Sequence, residues 1–241
     1  MPHSGWVKDP GLTNGIMNQQ SPYTSDVEIV SKFSPENFIP DGNLAKTIWQ
    51  STDPVVFDHD WMGKRRFPEV STQVAALWTP SHFYFAFWCR YTELNIYAGE
   101  DPALQRFGLW DRDVAEVFLN PSPERVNHYF EFEVAPNNQW VDLEVDLNSE
   151  PSYDHGWDSD FLHATRIDPA ARIWTCEMKI PAAPLHAMPI RPGWECRVNF
   201  YRCDGPGDDT QRRFLAWSPT FCTNLSDYFH VPARFGKIRF E

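Results

Sequence analysis

The chain is 241 residues long, enough for one large or two small domains, and carries a formal net charge of -12. That charge repels phosphate backbones and argues against nucleic acid as a partner, whereas neutral or cationic ligands, or divalent cations, suit the field. Twenty-one prolines against twelve glycines point to many turns and short strands instead of long helices.

The opening M-P-H-S-G-W-V-K-D-P contains no apolar core of a secretory signal, and no window is apolar and long enough to cross a bilayer. The expectation is a soluble chain, cytoplasmic by default and extracytoplasmic if a leader has been removed, with no membrane partner. Residues 1–24, rich in Pro, Gly, Asn, Gln and Ser, read as an irregular N-terminal arm. Residues 25–241 read as the folded domain.

Asp26 to Phe33 forms a first strand, I39-P-D-G-N a turn, and L-A-K-T-I-W to Trp49 a short helical or irregular segment. A brief strand is expected over Pro54 to Phe57. Ser71 to Thr79 and His82 to Tyr91 make a hairpin turning at T-P-S. Its second arm, H-F-Y-F-A-F-W-C-R-Y, is apolar on both faces and therefore central in a sheet. The long loop from Thr92 to Leu109 is the kind that carries function.

It leads into L-W-D-R-D-V-A-E-V-F-L-N-P, from Leu109 to Pro121. Side chains alternate along a strand, so Ala115, Val117 and Leu119 form a wholly apolar core face. Val114, Glu116 and Phe118 share the other, where packing alone would not choose an acid. With Trp110 at the strand entry beside Asp111 and Asp113, this stretch has the look of a ligand site.

His128 to Ala135 and Gln139 to Leu147 form the clearest hairpin, turning at P-N-N. In the first arm Phe130, Phe132 and Val134 should face in, with Tyr129, Glu131 and Glu133 out. The second repeats the alternation, with Val141, Leu143, Val145 and Leu147 set against Trp140, Asp142, Glu144 and Asp146. The loop Y-D-H-G-W-D-S-D concentrates acids and rings. Strands follow at Leu162 to Ile167, Ile173 to Ile180, Trp194 to Cys203, Arg213 to Trp217 and Phe235 to Phe240. About a dozen short strands imply one all-β domain, a single antiparallel β-sandwich of jelly-roll kind.

Five cysteines, an odd number without a C-x-x-C pair, fit neither a zinc knuckle nor a full disulfide framework. Cys176 and Cys196 read as buried thiols, on neighbouring strands. No nucleophile elbow, zincin motif, phosphate loop or dinucleotide fingerprint occurs. The informative feature is the ring surplus, 11 Trp, 18 Phe and 8 Tyr, since sugar rings stack on flat side chains and their hydroxyls need carboxylates, amides or guanidinium groups. Trp110 with Glu116 supplies that kit, as do Arg197, Asn199 and Tyr201 on one face of their strand.

From Ile39 to Phe240 the chain resembles the family 9 carbohydrate-binding modules. The matching pieces, in order, are I-P-D-G-N-L ending in Trp49, A-L-W-T-P-S-H-F-Y-F-A-F, W-D-R-D-V-A-E-V-F-L, T-C-E-M-K-I-P, C-R-V-N-F-Y-R-C-D, F-L-A-W-S-P and P-A-R-F-G-K-I-R-F. The resemblance implies a sugar-binding β-sandwich, with calcium bound in characterised members. It carries one stacking Trp onto Trp110 and the strand acid onto Glu116. The second stacking Trp falls on Phe229. Positions where the modules use an Asp, an Arg and a Gln on sugar hydroxyls are Tyr91, Glu133 and Tyr201 here. Asp41 in the D-G turn is the metal-ligand candidate, but Ala45 stands nearest to where the family places a further acid, and calcium needs several oxygens.

The function expected is non-catalytic capture of a mono- or oligosaccharide between Trp110 and Phe229, read by Glu116, Tyr201, Glu133 and Tyr91, in association with a polysaccharide-degrading enzyme. Three alternatives stay open: a glycosidase using paired carboxylates, a haem-binding sandwich using Met and His, against which Met178 and Met188 both read as core or turn and no Met/His pair stands out, and a degenerate interaction domain without sugar binding.

Overall fold

The computed structural model describes residues 21–241 apart from positions 100, 103, 188, 207–210 and 225–227. Most of the N-terminal arm, and Met188, therefore lie outside the described residues. The strands are β1 (Glu28–Phe33), β2 (Val55–Phe57), β3 (Thr72–Thr79), β4 (His82–Arg90), β5 (Val114–Asn120), β6 (His128–Val134) and β7 (Trp140–Asp146), followed by β8 (Tyr153–Asp154), β9 (Leu162–Asp168), β10 (Ile173–Pro181), β11 (Cys196–Asp204), β12 (Arg213–Ala216) and β13 (Gly236–Phe240). Their hydrogen-bonded order is β8-β7-β6-β5-β11-β13-β1-β3-β4-β10-β9, with β12 beside β11 and β2 beside β3. One turn of α-helix, Thr47–Gln50, ends the segment that crosses the outer face of β3 and β4.

The path curls back on itself. Phe200 of β11 meets Phe85 and Phe87 of β4 at ring-centroid distances of 5.5 and 5.9 Å, although three strands separate β11 from β4 in the ladder. Ala115, Val117 and Leu119 join Phe130 and Phe132 of β6 in this inter-sheet core, as their alternation requires. β4 is central, paired to β3 on one side and β10 on the other, which is why both its faces are apolar.

Three expectations need correction. The sandwich is mixed, because β1 runs parallel to both β13 and β3. Long connections make such pairing feasible, since parallel neighbours need a crossover that a tight turn cannot supply. Cys176 lies on β10 and Cys196 on β11, strands that are not neighbours, and all five cysteines are free thiols. Finally, the apolar face of β7 is opposite to that of β6. Glu133 pairs with Val141 and Glu131 with Leu143, and directly opposed residues share a face, so Val141, Leu143 and Val145 lie with the glutamates. That second face is itself covered. Phe229, Phe235 and Tyr23 pack over it in a separate apolar cluster, and Glu131 and Glu133 are buried beneath the loops.

No helix among the described residues is long and apolar enough to cross a membrane.

Candidate functional site

On this covered face the loops leave a recess of about 300 Å³. Its floor is the sheet itself: Glu116 and Phe118 of β5, Glu131 and Glu133 of β6, and Leu143 and Val145 of β7. Trp110, Phe107 and Tyr153 stand on one side, and Tyr228, Phe229 and His230 on another. Trp110 sits in a 3-10 turn, Leu109–Asp111, that follows Gly108 at φ 81°. An L side chain disfavours that left-handed value, so glycine is what lets the loop turn down onto the sheet. Phe107, 48% exposed, braces Trp110 edge-on at 4.7 Å and also meets His155 at 4.1 Å.

Two buried groups fix that turn, Arg212 from the lining of the recess and Asp113 from behind it. Arg212 donates from Nη2 to the carbonyls of Trp110 (2.7 Å) and Arg112 (2.9 Å), and from Nε to that of Gly205 (3.3 Å). Asp113, wholly buried, accepts from the backbone N–H groups of Asn95 (3.1 Å) and Gly205 (2.7 Å) and lies 4.0 Å from the Arg202 guanidinium. The loop after β4 and the turn after β11 are thereby tied to the start of β5.

Glu116 and Glu133 are directly opposed across β5 and β6, at 1% and 2% exposure. Cys203 Sγ donates to Glu116 Oε1 at 3.0 Å, while Glu116 Oε2 and Glu133 Oε2 have no hydrogen-bond partner among the described residues. Burial raises both carboxyls above the ordinary glutamate range; the neighbouring Glu131 adds to both and Glu116 adds to Glu133, while the Cys203 hydrogen bond and the charges of His230 and Arg212 pull Glu116 partly back. Glu131 is answered by His230 Nδ1 at 3.3 Å, a nitrogen that also pairs with the Tyr129 hydroxyl at 2.7 Å. A protonated carboxyl offers one O–H donor together with acceptor lone pairs, which is what a sugar hydroxyl, itself donor and acceptor, requires. The two carboxyls stand side by side on one floor; a glycosidase places its pair on either side of the scissile bond.

Four of the residues singled out in the sequence thus come together: Trp110, Glu116, Glu133 and Phe229 all line the recess. Phe229 is only 5% exposed, so it forms a recessed wall more than a free platform. Tyr201 is wholly buried behind it, its ring stacked on Phe229 at 4.0 Å and 16° and its hydroxyl donating to the Phe229 carbonyl at 2.8 Å. Tyr201 supports the wall and does not line the recess. Tyr91 packs against the inter-sheet core at the end of β4, also away from it. Phe107, Tyr153 and Glu131 were not singled out as ligand contacts. The long 92–109 loop, the ring-rich 153–160 loop and the period-two spacing of Glu131 from Glu133 were the available signals.

Asp41 lies far from the recess, and its surroundings do not fit calcium. Lys46 Nζ is 2.8 Å from Asp41 Oδ1 and 2.7 Å from Glu177 Oε1, which puts an ammonium between the two carboxylates. Glu177 Oε2 accepts from the backbone N–H of Asp41 (2.8 Å) and Gly42 (3.2 Å), and Glu177 Oε1 from Trp49 Nε1 (2.8 Å). The Lys46 hydrogen bond is the main cause holding the Asp41 carboxyl below its usual range. No group of three or more His, Cys, Asp or Glu side chains arranged to hold a metal occurs among the described residues.

A β-sandwich with a ring-walled, carboxyl-floored recess on one sheet is the architecture of a small-ligand-binding module. The family model described as carbohydrate family 9 binding domain-like matches residues 39–241, and the chain belongs to that family. Similar solved structures include a candidate carbohydrate-binding protein from Bacteroides uniformis, at 16% identity and a TM-score of 0.71, with 90% of this chain and 100% of that one covered. A family 9 module from Caldicellulosiruptor kristjanssonii was solved with cellotriose (17% identity, TM-score 0.61, 89% and 94% covered) and with glucose (16%, 0.62, 89% and 96%). No curated protein sequence matches the chain significantly.

Proposed function

We propose that this protein binds carbohydrate without transforming it, capturing a sugar unit in the recess between Trp110 and the Phe229 wall. The observation that carries the reading is the pair of unpartnered carboxyl oxygens, on Glu116 and Glu133, buried at the floor of an aromatic-walled cavity. Buried polar atoms without partners are costly, so a ligand rich in hydroxyls gains more here than an apolar one. A recess of about 300 Å³ is at the small end of ligand pockets, which suits a mono- or disaccharide unit. The glucose and cellotriose complexes of the Caldicellulosiruptor module support the same ligand class. Working beside a polysaccharide-degrading enzyme is the corresponding role for the whole protein.

Calorimetric titration with glucose, cellobiose and cellotriose tests this. Replacing Trp110 with Ala removes one stacking face, a loss on the order of 1.5–3 kcal/mol, or roughly 10- to 150-fold in Kd. Because Trp110 is half-buried in a surface turn, the variant should keep the wild-type melting curve. Equal affinity in both proteins would sink the reading.

A further inference from the structure

The ionisable groups around the recess are lopsided. Glu116, Glu131 and Glu133 rise from the floor and Asp111 adds an acid at the rim. Against them stand Arg212, held by the carbonyls of Trp110, Arg112 and Gly205, and His230, which pairs with Tyr129 and with Glu131 of the floor. β7 contributes only Leu143 and Val145 to the lining, and β11 the thiol of Cys203. Neither Glu116 nor Glu133 has a cation within ion-pair distance among the described residues, and each keeps one buried oxygen without a partner. Trp110, Phe107 and Tyr153 line the same recess, and the face of an aromatic ring carries the negative lobe of its quadrupole. Carboxyls and aromatic rings lining one recess are the two elements from which proteins build sites for organic ammonium groups.

We propose that the recess selects an amino sugar, a pyranose bearing a protonated amine, with the amine directed between Glu116 and Glu133 and the ring against Trp110. This rests on the sugar-binding reading of the same site and narrows its ligand class. The -12 charge of the chain acts in the same direction, drawing cations in and repelling uronic acids. At rest the floor is kept neutral, because burial raises both carboxyls. An arriving ammonium stabilises one of them as the carboxylate, so the O–H bond of that carboxyl breaks and its proton leaves to solvent while the ammonium keeps its own. Binding of the amino sugar therefore releases about one proton, and binding of a neutral sugar releases none. Acetylating the amine removes the charge and with it the advantage.

The test is calorimetry near neutral pH with glucosamine, glucose, N-acetylglucosamine and glucuronate, in two buffers of different protonation enthalpy. Glucosamine should bind about tenfold tighter than glucose, with a heat that depends on the buffer, and glucuronate should bind weakest. Glu133→Gln should bring glucosamine and glucose to similar affinity, whatever it does to glucose binding itself, because the readout is the ratio of the two; Glu116→Gln serves if that variant does not fold, and the buffer dependence needs no variant. Glucosamine binding no tighter than glucose, or without proton release, overturns the amine assignment and leaves the sugar reading standing. Failure of all four sugars and of cellotriose to bind overturns both.

Discussion

Lys46 does the work of a cation in the turn at Asp41. One ammonium bridges Asp41 and Glu177, and Glu177 in turn receives two backbone N–H groups and the Trp49 indole, so the crossing segment 41–49 is clipped to β10 without a metal ion. The clip also demands Gly42, whose φ is 72° and whose added Cβ would stand 2.8 Å from the Thr165 carbonyl carbon. Hydrogen bonds to a charged group contribute roughly 1.5–3 kcal/mol each. Lys46→Ala should accordingly lower Tm by about 3–10 °C in a chain of this length, read by calorimetric melting. Chelator should leave the wild-type Tm where it was. A chelator-induced drop would mean that a metal ion is part of the native fold after all.

The long loop between β4 and β5 is held at several points, which is what makes Trp110 a fixed wall. Its Gln105 amide reaches the Asp142 carboxylate at 2.8 Å, Arg106 N–H donates to the Trp140 carbonyl at 2.8 Å, and the Arg106 and Arg112 guanidinium groups lie 3.5 and 4.4 Å from the Tyr97 ring centroid. Arg212 closes the far end. Arg212→Ala leaves the carbonyls of Trp110 and Arg112 without that donor, and the turn loses its register against the floor. Sugar affinity should fall by about tenfold, the equivalent of one lost hydrogen bond to a charged donor, while the denaturant m-value stays at wild type. Loss of affinity with an altered m-value would instead mean general loosening of the fold. Strands were legible in the sequence because period-two alternation marks them locally, as at Ala115, Val117 and Leu119. Alternation says which residues share a face, and nothing about what covers it. Glu131 and Glu133 therefore read as outward, and Tyr201 as a ligand contact, because the segment around Phe229 that roofs this face arrives from about 100 residues further along the chain, and no local pattern reports that contact. The parallel placement of β1 was hidden for the same reason.

At the scale of the whole molecule, buried acids give stability a slope with pH. Burial raises Glu116 and Glu133 well above the ordinary glutamate value and lifts Asp142 to about 6. A carboxyl whose folded-state pKa lies above its unfolded one stabilises the fold fully below the unfolded pKa, and that contribution is lost as pH rises through the folded pKa. In that window the native state holds more protons than the unfolded one, so stability falls by up to about 1.4 kcal/mol per pH unit for each such group. On the acid side the opposite holds for His163, which burial lowers to about 4: its contribution is present above the unfolded histidine pKa and lost as pH drops toward 4. The two trends oppose each other in acid solution. The glutamate share can be isolated by substitution, since Glu116→Gln and Glu133→Gln remove the titrating groups and leave His163 and Asp142 as they are. Denaturant unfolding of wild type and double variant between about pH 5 and pH 8 should show the variant gaining on wild type steadily as pH increases. Parallel curves across that range would mean that the floor is ionised in the folded protein, and that its carboxylates are answered by a cation from the start.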